Sequence, residues 1–219
     1  MVDLERLQLI REELLPFNAT LVAVSKTKPV SDIEQLLDHD QLIFGENYVQ
    51  ELLSKHQALG NKPQWHFIGH LQSNKVKFLV PFIRLIHGVD SHKLLLEVNR
   101  RSDECGRQTD VLLQVHIAQE ETKAGLDHKE LLALMEIIQN NPLPAVRIRG
   151  LMGMATFTDD TRAVRNEFKG LKQIFDEVRK SANADFDTLS MGMSGDYKIA
   201  LEEGSTMVRI GSLLFGSRK

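Results

Sequence analysis

The sequence contains a single cysteine, Cys105, among its 219 residues. One thiol cannot form a disulfide framework or a cysteine-rich zinc site, and such a chain suits a reducing compartment. The sequence also lacks long apolar runs: stretches such as 112–115 fall far short of the roughly 20 apolar residues that cross a bilayer. The N-terminus is charged throughout, unlike a signal peptide. We therefore expect a cytoplasmic protein without a membrane span.

An excess of basic residues is missing as well. Lys and Arg number 27 against 30 Asp and Glu, which gives a formal net charge of -3. Binding to nucleic acid through bulk charge is therefore not expected. Neither a G-x-G-x-x-G fingerprint nor a P-loop is present, so nothing indicates dinucleotide or P-loop nucleotide binding. His66 and His70 have H-x3-H spacing, but on a strand followed by a loop, so we expect no metal site.

Helical and strand patterns alternate along the whole chain. An amphipathic helix is predicted over 3–15, and a helix over 32–38 with Ser31 as its cap and Glu34 in the capping-box position. Further helices are predicted over 48–59, 73–80, 91–104, 127–140, 159–181 and 195–203. Short apolar runs between the helical patterns predict eight strands: 20–25, 41–45, 65–69, 84–89, 111–117, 146–151, 188–191 and 207–210.

Eight strands separated by helices predict a single-domain (β/α)8 TIM barrel with an extra N-terminal helix. No linker composition divides the chain, so residues 1–219 are expected to form one domain. A doubly wound open sheet would show the same alternation and stays open as an alternative. The strand count favours the barrel, in which functional residues follow the carboxyl ends of the strands.

Lys26 directly follows the first predicted strand. Partial desolvation at the mouth of a buried strand lowers the pKa of an amine and makes it a nucleophile that can form a Schiff base with an aldehyde or ketone. The alternative is a surface lysine in a loop that also carries Lys28.

Small polar residues follow the last two strands: Ser194 and Gly195 after the seventh, and Gly211 and Ser212 after the eighth. Loops at these two strands form the usual phosphate site of this fold. The alternative is that they only turn the chain. Arg209, inside the eighth strand, must either face the barrel mouth or pair with an acid.

Five motifs carry a family resemblance: VAVSKTKP, FGENYVQE, WHFIGHLQSNK, LSMGMSGDY and VRIGSLLFG, in this order. With them the chain resembles the pyridoxal phosphate homeostasis proteins, which are small relatives of the alanine racemase barrel. The resemblance implies a barrel that binds pyridoxal 5'-phosphate (PLP), with Lys26 as the Schiff-base lysine and Asn47 near the ring. It also implies that Arg209 faces the pyridine nitrogen and that the phosphate is surrounded by Ser194, Gly195, Gly211 and Ser212.

The function expected from this resemblance is intracellular homeostasis of PLP (vitamin B6) and, indirectly, of amino and keto acids. The protein would hold PLP and exchange it with small amines, amino acids or PLP-dependent apo-enzymes, without robust turnover, so no catalytic residue is assigned. An arginine beside the ring nitrogen keeps its own proton, which makes the ring a poor electron sink.

Two enzymatic alternatives stay open. A PLP-dependent amino-acid racemase needs a base on each face of Cα, and in racemases that resemble this barrel a tyrosine of an extra C-terminal domain supplies the second. The chain ends at Lys219 soon after the eighth predicted strand and contains only Tyr48 and Tyr197, so we expect no such base, and a monomer. A Schiff-base aldolase that uses Lys26 without a cofactor is the other alternative.

Overall fold

The computed structural model describes residues 2–120 and 124–216. Within them, eight parallel strands follow one another around a closed barrel, and the last pairs with the first. The predicted TIM barrel is therefore confirmed and the open sheet is wrong. The strands are β1 Thr20–Val24, β2 Ile43–Glu46, β3 Gln64–Phe67, β4 Leu85–Val89, β5 Thr109–Gln114, β6 Val146–Met152, β7 Thr188–Met193 and β8 Met207–Ile210.

Helices surround the barrel and, as predicted, one precedes it. They are α1 Leu4–Leu14, α2 Val30–Leu37, α3 Val49–Leu59, α4 Val76–Leu79, α5 His92–Glu104, α6 His128–Asn140, α7 Thr161–Arg179, α8 Tyr197–Glu202 and α9 Ser212–Phe215. No helix in the described ranges is long and apolar enough to cross a membrane.

Two local predictions need correction, and one helix was not predicted. α2 begins at Val30 after Pro29, so Ser31 lies inside the helix and does not cap it. Proline lacks an N–H and disfavours helical backbone in the residue before it, so it marks this boundary by itself. The predicted helix over 73–80 consists of a 3-10 turn, Ser73–Lys75, followed by α4. α9 was not predicted.

The core has two layers because successive strand residues point alternately into the barrel and towards the helices. The helix-facing layer holds large side chains such as Phe44, Trp65 and Phe168, all almost fully buried. Each such burial contributes about 1.5–3 kcal/mol. A second, smaller apolar group fills the barrel itself: Val22, Leu85, Leu112, Met152 and Met207. Polar side chains also lie in this interior and extend to the carboxyl end of the strands.

Candidate functional site

A cavity of about 460 Å³ opens at the carboxyl end of the barrel. All seven residues that the sequence singles out line it: Lys26, Asn47, Ser194, Gly195, Arg209, Gly211 and Ser212. Its other charged lining groups are Lys28 and Asp196. Three cationic side chains therefore face one carboxylate, a balance that favours an anionic ligand.

Lys26 reaches this cavity from the turn that follows β1. Its side chain is half-buried, and its two chain neighbours are fixed from outside the cavity. The Ser25 hydroxyl donates to Glu46 Oε1 at 2.6 Å, and the Thr27 N–H donates to Glu51 Oε1 at 2.6 Å. The lysine is thus carried by a turn whose backbone has little freedom.

The loops after β7 and β8 touch each other across the cavity. The Gly211 N–H donates to Ser194 Oγ at 3.2 Å, and the Met193 N–H donates to Asp196 Oδ1 at 2.5 Å. A Cβ added at Gly211 would lie 3.2 Å from the Val24 carbonyl oxygen, whereas one at Gly195 would meet no atom within 4 Å. Gly211 is therefore needed for close packing against β1, and Gly195 borders open space.

Arg209 is buried, and its recorded hydrogen bonds go to neutral oxygens. One guanidinium nitrogen donates to the Ser190 carbonyl at 2.9 Å and to the Ser190 hydroxyl at 2.6 Å, and the other to the Gly153 carbonyl at 3.0 Å. Of the two expectations for this residue, the described structure therefore favours the barrel mouth over a direct ion pair. Burial lowers the pKa of Arg209 to about 10 while Asp196 raises it, so the group stays protonated at neutral pH.

A polar chain continues from Arg209 down the barrel interior. Because a guanidinium only donates, the Ser190 hydroxyl accepts from it and can donate to His87 Nδ1, 3.2 Å away. His87 Nε2 lies 3.0 Å from His66 Nδ1, so one of these two nitrogens donates to the other. Burial lowers the pKa of His66 to about 3 and that of His87 well below its ordinary value, so both rings are neutral.

Asn47 offers the site an unsatisfied acceptor. Its Oδ1 is buried and has no hydrogen-bond partner among the described residues. A buried acceptor left unpaired costs about 1–3 kcal/mol, and Asn47 lines the cavity. The residue therefore suits a ligand that carries a donor, such as the hydroxyl of a hydroxypyridine.

Neither tyrosine of the chain lines the cavity. Tyr197 is buried and its hydroxyl donates to Glu13 of α1, while Tyr48 is mostly exposed. In the parts of the chain that the structure describes, no cluster of three or more His, Cys, Asp or Glu side chains could hold a metal ion.

Known proteins resemble this chain over nearly its whole length. The family model "Alanine racemase, N-terminal domain" matches residues 4–219. A pyridoxal phosphate homeostasis protein of Aquifex aeolicus is 41% identical over 202 residues, which cover 92% of this chain and 88% of the relative. The chain belongs to the pyridoxal phosphate homeostasis protein family. The human family member is 42% identical over 210 residues, covering 90% of this chain and 76% of its own.

Solved structures agree with this assignment. PipY of Synechococcus elongatus PCC7942 without PLP has a TM-score of 0.90 at 36% identity, covering 97% of this family member and 99% of PipY. PipY with PLP bound has a TM-score of 0.88 at 37% identity. Alanine racemase of Clostridium difficile 630, at 16% identity and a TM-score of 0.76, shares the fold, and the match covers 58% of its chain. The resemblance seen in the sequence motifs is therefore confirmed.

Proposed function

We propose that this protein binds PLP in the carboxyl-end cavity and serves intracellular PLP homeostasis. The observation that carries the proposal is that one cavity joins Lys26, the buried Arg209 and the contacting loops after β7 and β8. Two relatives support it: the Aquifex homologue is named for PLP homeostasis, and PipY has been solved with PLP bound. When bound, PLP supplies an aldehyde that condenses with a primary amine, which we assign to Lys26.

The remaining residues fit the other parts of this ligand. The two loops supply the Ser194 hydroxyl, the Ser212 hydroxyl and glycine backbone to a phosphate, and Lys28 adds positive charge. Arg209 is assigned to the pyridine nitrogen, where a group with a pKa near 10 keeps its proton at neutral pH. Asn47 Oδ1 gains the donor that it lacks among the described residues.

We infer that the protein is a carrier and no racemase, in line with relatives that are named for homeostasis. Arg209 cannot protonate the ring nitrogen, so carbanions at Cα gain little stabilisation. Racemisation also needs a second base, and neither tyrosine lines the cavity. The expectation that no second base follows the eighth strand was based on the chain ending at Lys219. That residue lies outside the described residues.

The remaining proposals concern partners and organisation. Small amines and amino acids exchange with the bound cofactor, and PLP-dependent apo-enzymes are its recipients. We also propose that residues 1–219 form one domain that works as a cytoplasmic monomer.

Borohydride reduction followed by peptide mapping tests the lysine assignment. Purified protein loaded with PLP should lose its visible absorbance on reduction, and the pyridoxyl group should lie on Lys26. Lys28 is a demanding internal control because it lines the same cavity, where its Nζ donates to the Phe215 carbonyl at 2.8 Å. Label on Lys28 with none on Lys26 would overturn the assignment. A Lys26→Ala variant should keep no reducible chromophore.

A further inference from the structure

An ionic group with two buried members, which we call the anchor cluster, lies behind the turn that carries Lys26. It consists of Glu46 at the end of β2 and of Glu51 and Lys55, one turn apart on α3. Lys55 Nζ lies 2.7 Å from Glu46 Oε1 and 2.7 Å from Glu51 Oε1. Glu46 is fully buried and Lys55 is 4% exposed. None of the three lines the cavity.

The anchor cluster bonds to both neighbours of Lys26. Lys55 Nζ donates to the Ser25 carbonyl at 2.7 Å, and the Ser25 hydroxyl donates to Glu46. On the other side, Glu51 Oε1 accepts the Thr27 N–H. A single ammonium thus joins two carboxylates that hold the residues before and after the reactive lysine.

Thr27 needs this support because its backbone has φ +65°. A β-branched residue in the left-handed region is sterically unfavourable. The charge-assisted bond from its N–H to Glu51 holds that conformation. Without it, the turn can relax, and the direction in which Lys26 leaves the backbone changes.

We propose that Lys55 and Glu51 are positioning residues that make Lys26, and not Lys28, the lysine that reacts with the aldehyde. Both lysines line the cavity and are two positions apart, so proximity alone does not select between them. The anchor cluster holds the backbone on both sides of Lys26, whereas the Lys28 Nζ donates to the Phe215 carbonyl. This inference rests on the proposed function for its ligand, but its effect on the turn exists without any ligand.

The first measurement uses the protein without cofactor. Trace acetic anhydride acetylates each lysine at a rate set by its basicity and access, and mass spectrometry of the 26–28 segment gives the Lys26 to Lys28 ratio. Lys55→Met and Glu51→Ala should change this ratio, whereas Glu51→Gln, which keeps an acceptor for the Thr27 N–H, should stay close to the unmodified protein. Lys172→Met is the matched control, since Lys172 forms a comparable i,i+4 pair with Asp176 on α7.

The second measurement is borohydride trapping of bound PLP in the same variants. Misplacement of a reacting group by about 1 Å can cost about 100-fold in rate. We therefore expect the ratio of Lys26 to Lys28 label to fall at least about tenfold in Lys55→Met and Glu51→Ala. Thr27→Gly, added to Glu51→Ala, should restore Lys26 labelling because glycine adopts positive φ without strain.

The results separate failure of the positioning role from failure of the proposed function. Folded Lys55→Met and Glu51→Ala proteins with unchanged acetylation and labelling ratios would overturn the positioning role. If Lys55→Met does not fold, the test rests on three variants: Glu51→Ala, Glu51→Gln and the double variant Glu51→Ala, Thr27→Gly. If the unmodified protein takes up no PLP while the acetylation ratios shift, the proposed function fails and the positioning role stands.

Discussion

The two ends of the barrel hold cavities of similar size, about 460 Å³ at the carboxyl end and about 440 Å³ at the amino end. At the amino end the charges pair with each other: Arg149 Nη2 lies 2.8 Å from Asp187, and Arg147 Nε lies 2.7 Å from Asp110. At the carboxyl end the recorded hydrogen bonds of Arg209 go to neutral oxygens. The carboxyl-end cavity is lined by three cationic side chains and one carboxylate, and the amino-end cavity by two arginines and two aspartates, so the charge balance of the lining, and not volume, distinguishes the two ends.

The polar chain inside the barrel connects these two ends. His66 lines the amino-end cavity, Arg209 lines the carboxyl-end cavity, and His87 and Ser190 link them. The guanidinium donates to Ser190, and Ser190 contacts His87, which in turn contacts His66, so the polar chain runs without a break between the two cavities.

The largest expected effect comes from placing an anion at the carboxyl end. Ser194→Asp sets a carboxylate against the phosphate, and two unit charges about 4 Å apart near a protein surface repel by about 4 kcal/mol. PLP affinity, measured by absorbance titration, should fall on the order of 1000-fold. Asn18→Asp, which adds the same charge in the amino-end cavity, should leave affinity nearly unchanged. Equal losses in both variants would remove the distinction between the ends.

The next effect concerns the buried histidines. Their folded-state pKa values lie below the ordinary 6.5, so below about pH 6.5 the unfolded chain binds protons that the folded chain does not. The free energy of unfolding should therefore fall with decreasing pH, by up to about 2.7 kcal/mol per pH unit for two such groups. Burial raises the pKa of Glu46, which acts in the opposite direction.

Urea unfolding of the cofactor-free protein at pH 7, 6 and 5 measures this slope. A His66→Gln, His87→Gln double variant should flatten it. His128→Gln is the control, because that histidine is exposed and pairs with Glu177 on the surface. A slope that is the same in the double variant and in the unmodified protein would show that the buried histidines do not cause it.

A smaller effect is expected at Asn47, where stability and binding should move in opposite directions. Asn47→Leu removes a buried oxygen that has no partner among the described residues, so the cofactor-free protein should not lose stability. The same change removes an acceptor from the loaded site, and PLP affinity should fall about tenfold, as for one hydrogen bond. Thermal unfolding with and without PLP measures both. Loss of stability in the cofactor-free protein would mean that the oxygen is already satisfied.

The strands and the cavity lining could be predicted because both depend on local patterns. Buried parallel strands are apolar runs, and the residue after each run lies at the carboxyl end.

The polar residues inside the barrel could not be predicted in this way. His87 and Ser190 lie inside apolar runs, are 103 positions apart and meet only across the closed barrel. A polar residue within an otherwise apolar strand was the available signal. Likewise, only the packing of α3 on β2 reveals that Lys55 contacts Glu46.

The smallest expected effect is on the chemistry at Cα, where turnover should be negligible. Burial and the bond to Glu13 raise the pKa of Tyr197, so this hydroxyl keeps its proton, and it points to α1 away from the cavity. Tyr48 is mostly exposed and does not line the cavity. If Arg209 faces the ring nitrogen as proposed, it keeps its own proton there, so removal of the Cα proton gains little from the ring. In the proposed site, exchange of the cofactor with a free amino acid needs only the amine of Lys26.

The two steps can be separated in one experiment. Loaded protein is mixed with L- or D-alanine in deuterated water, exchange is followed by the visible spectrum, and Cα deuteration and chirality are followed by NMR. Fast exchange with negligible deuteration is expected, because exchange needs an accessible amine whereas racemisation needs a base on each face of Cα. Lys26→Ala should abolish the exchange signal. Many turnovers of deuteration with inversion, lost in Lys26→Ala, would instead make the carboxyl-end cavity a racemase site, and Lys28 would then be the first residue to test as the second base.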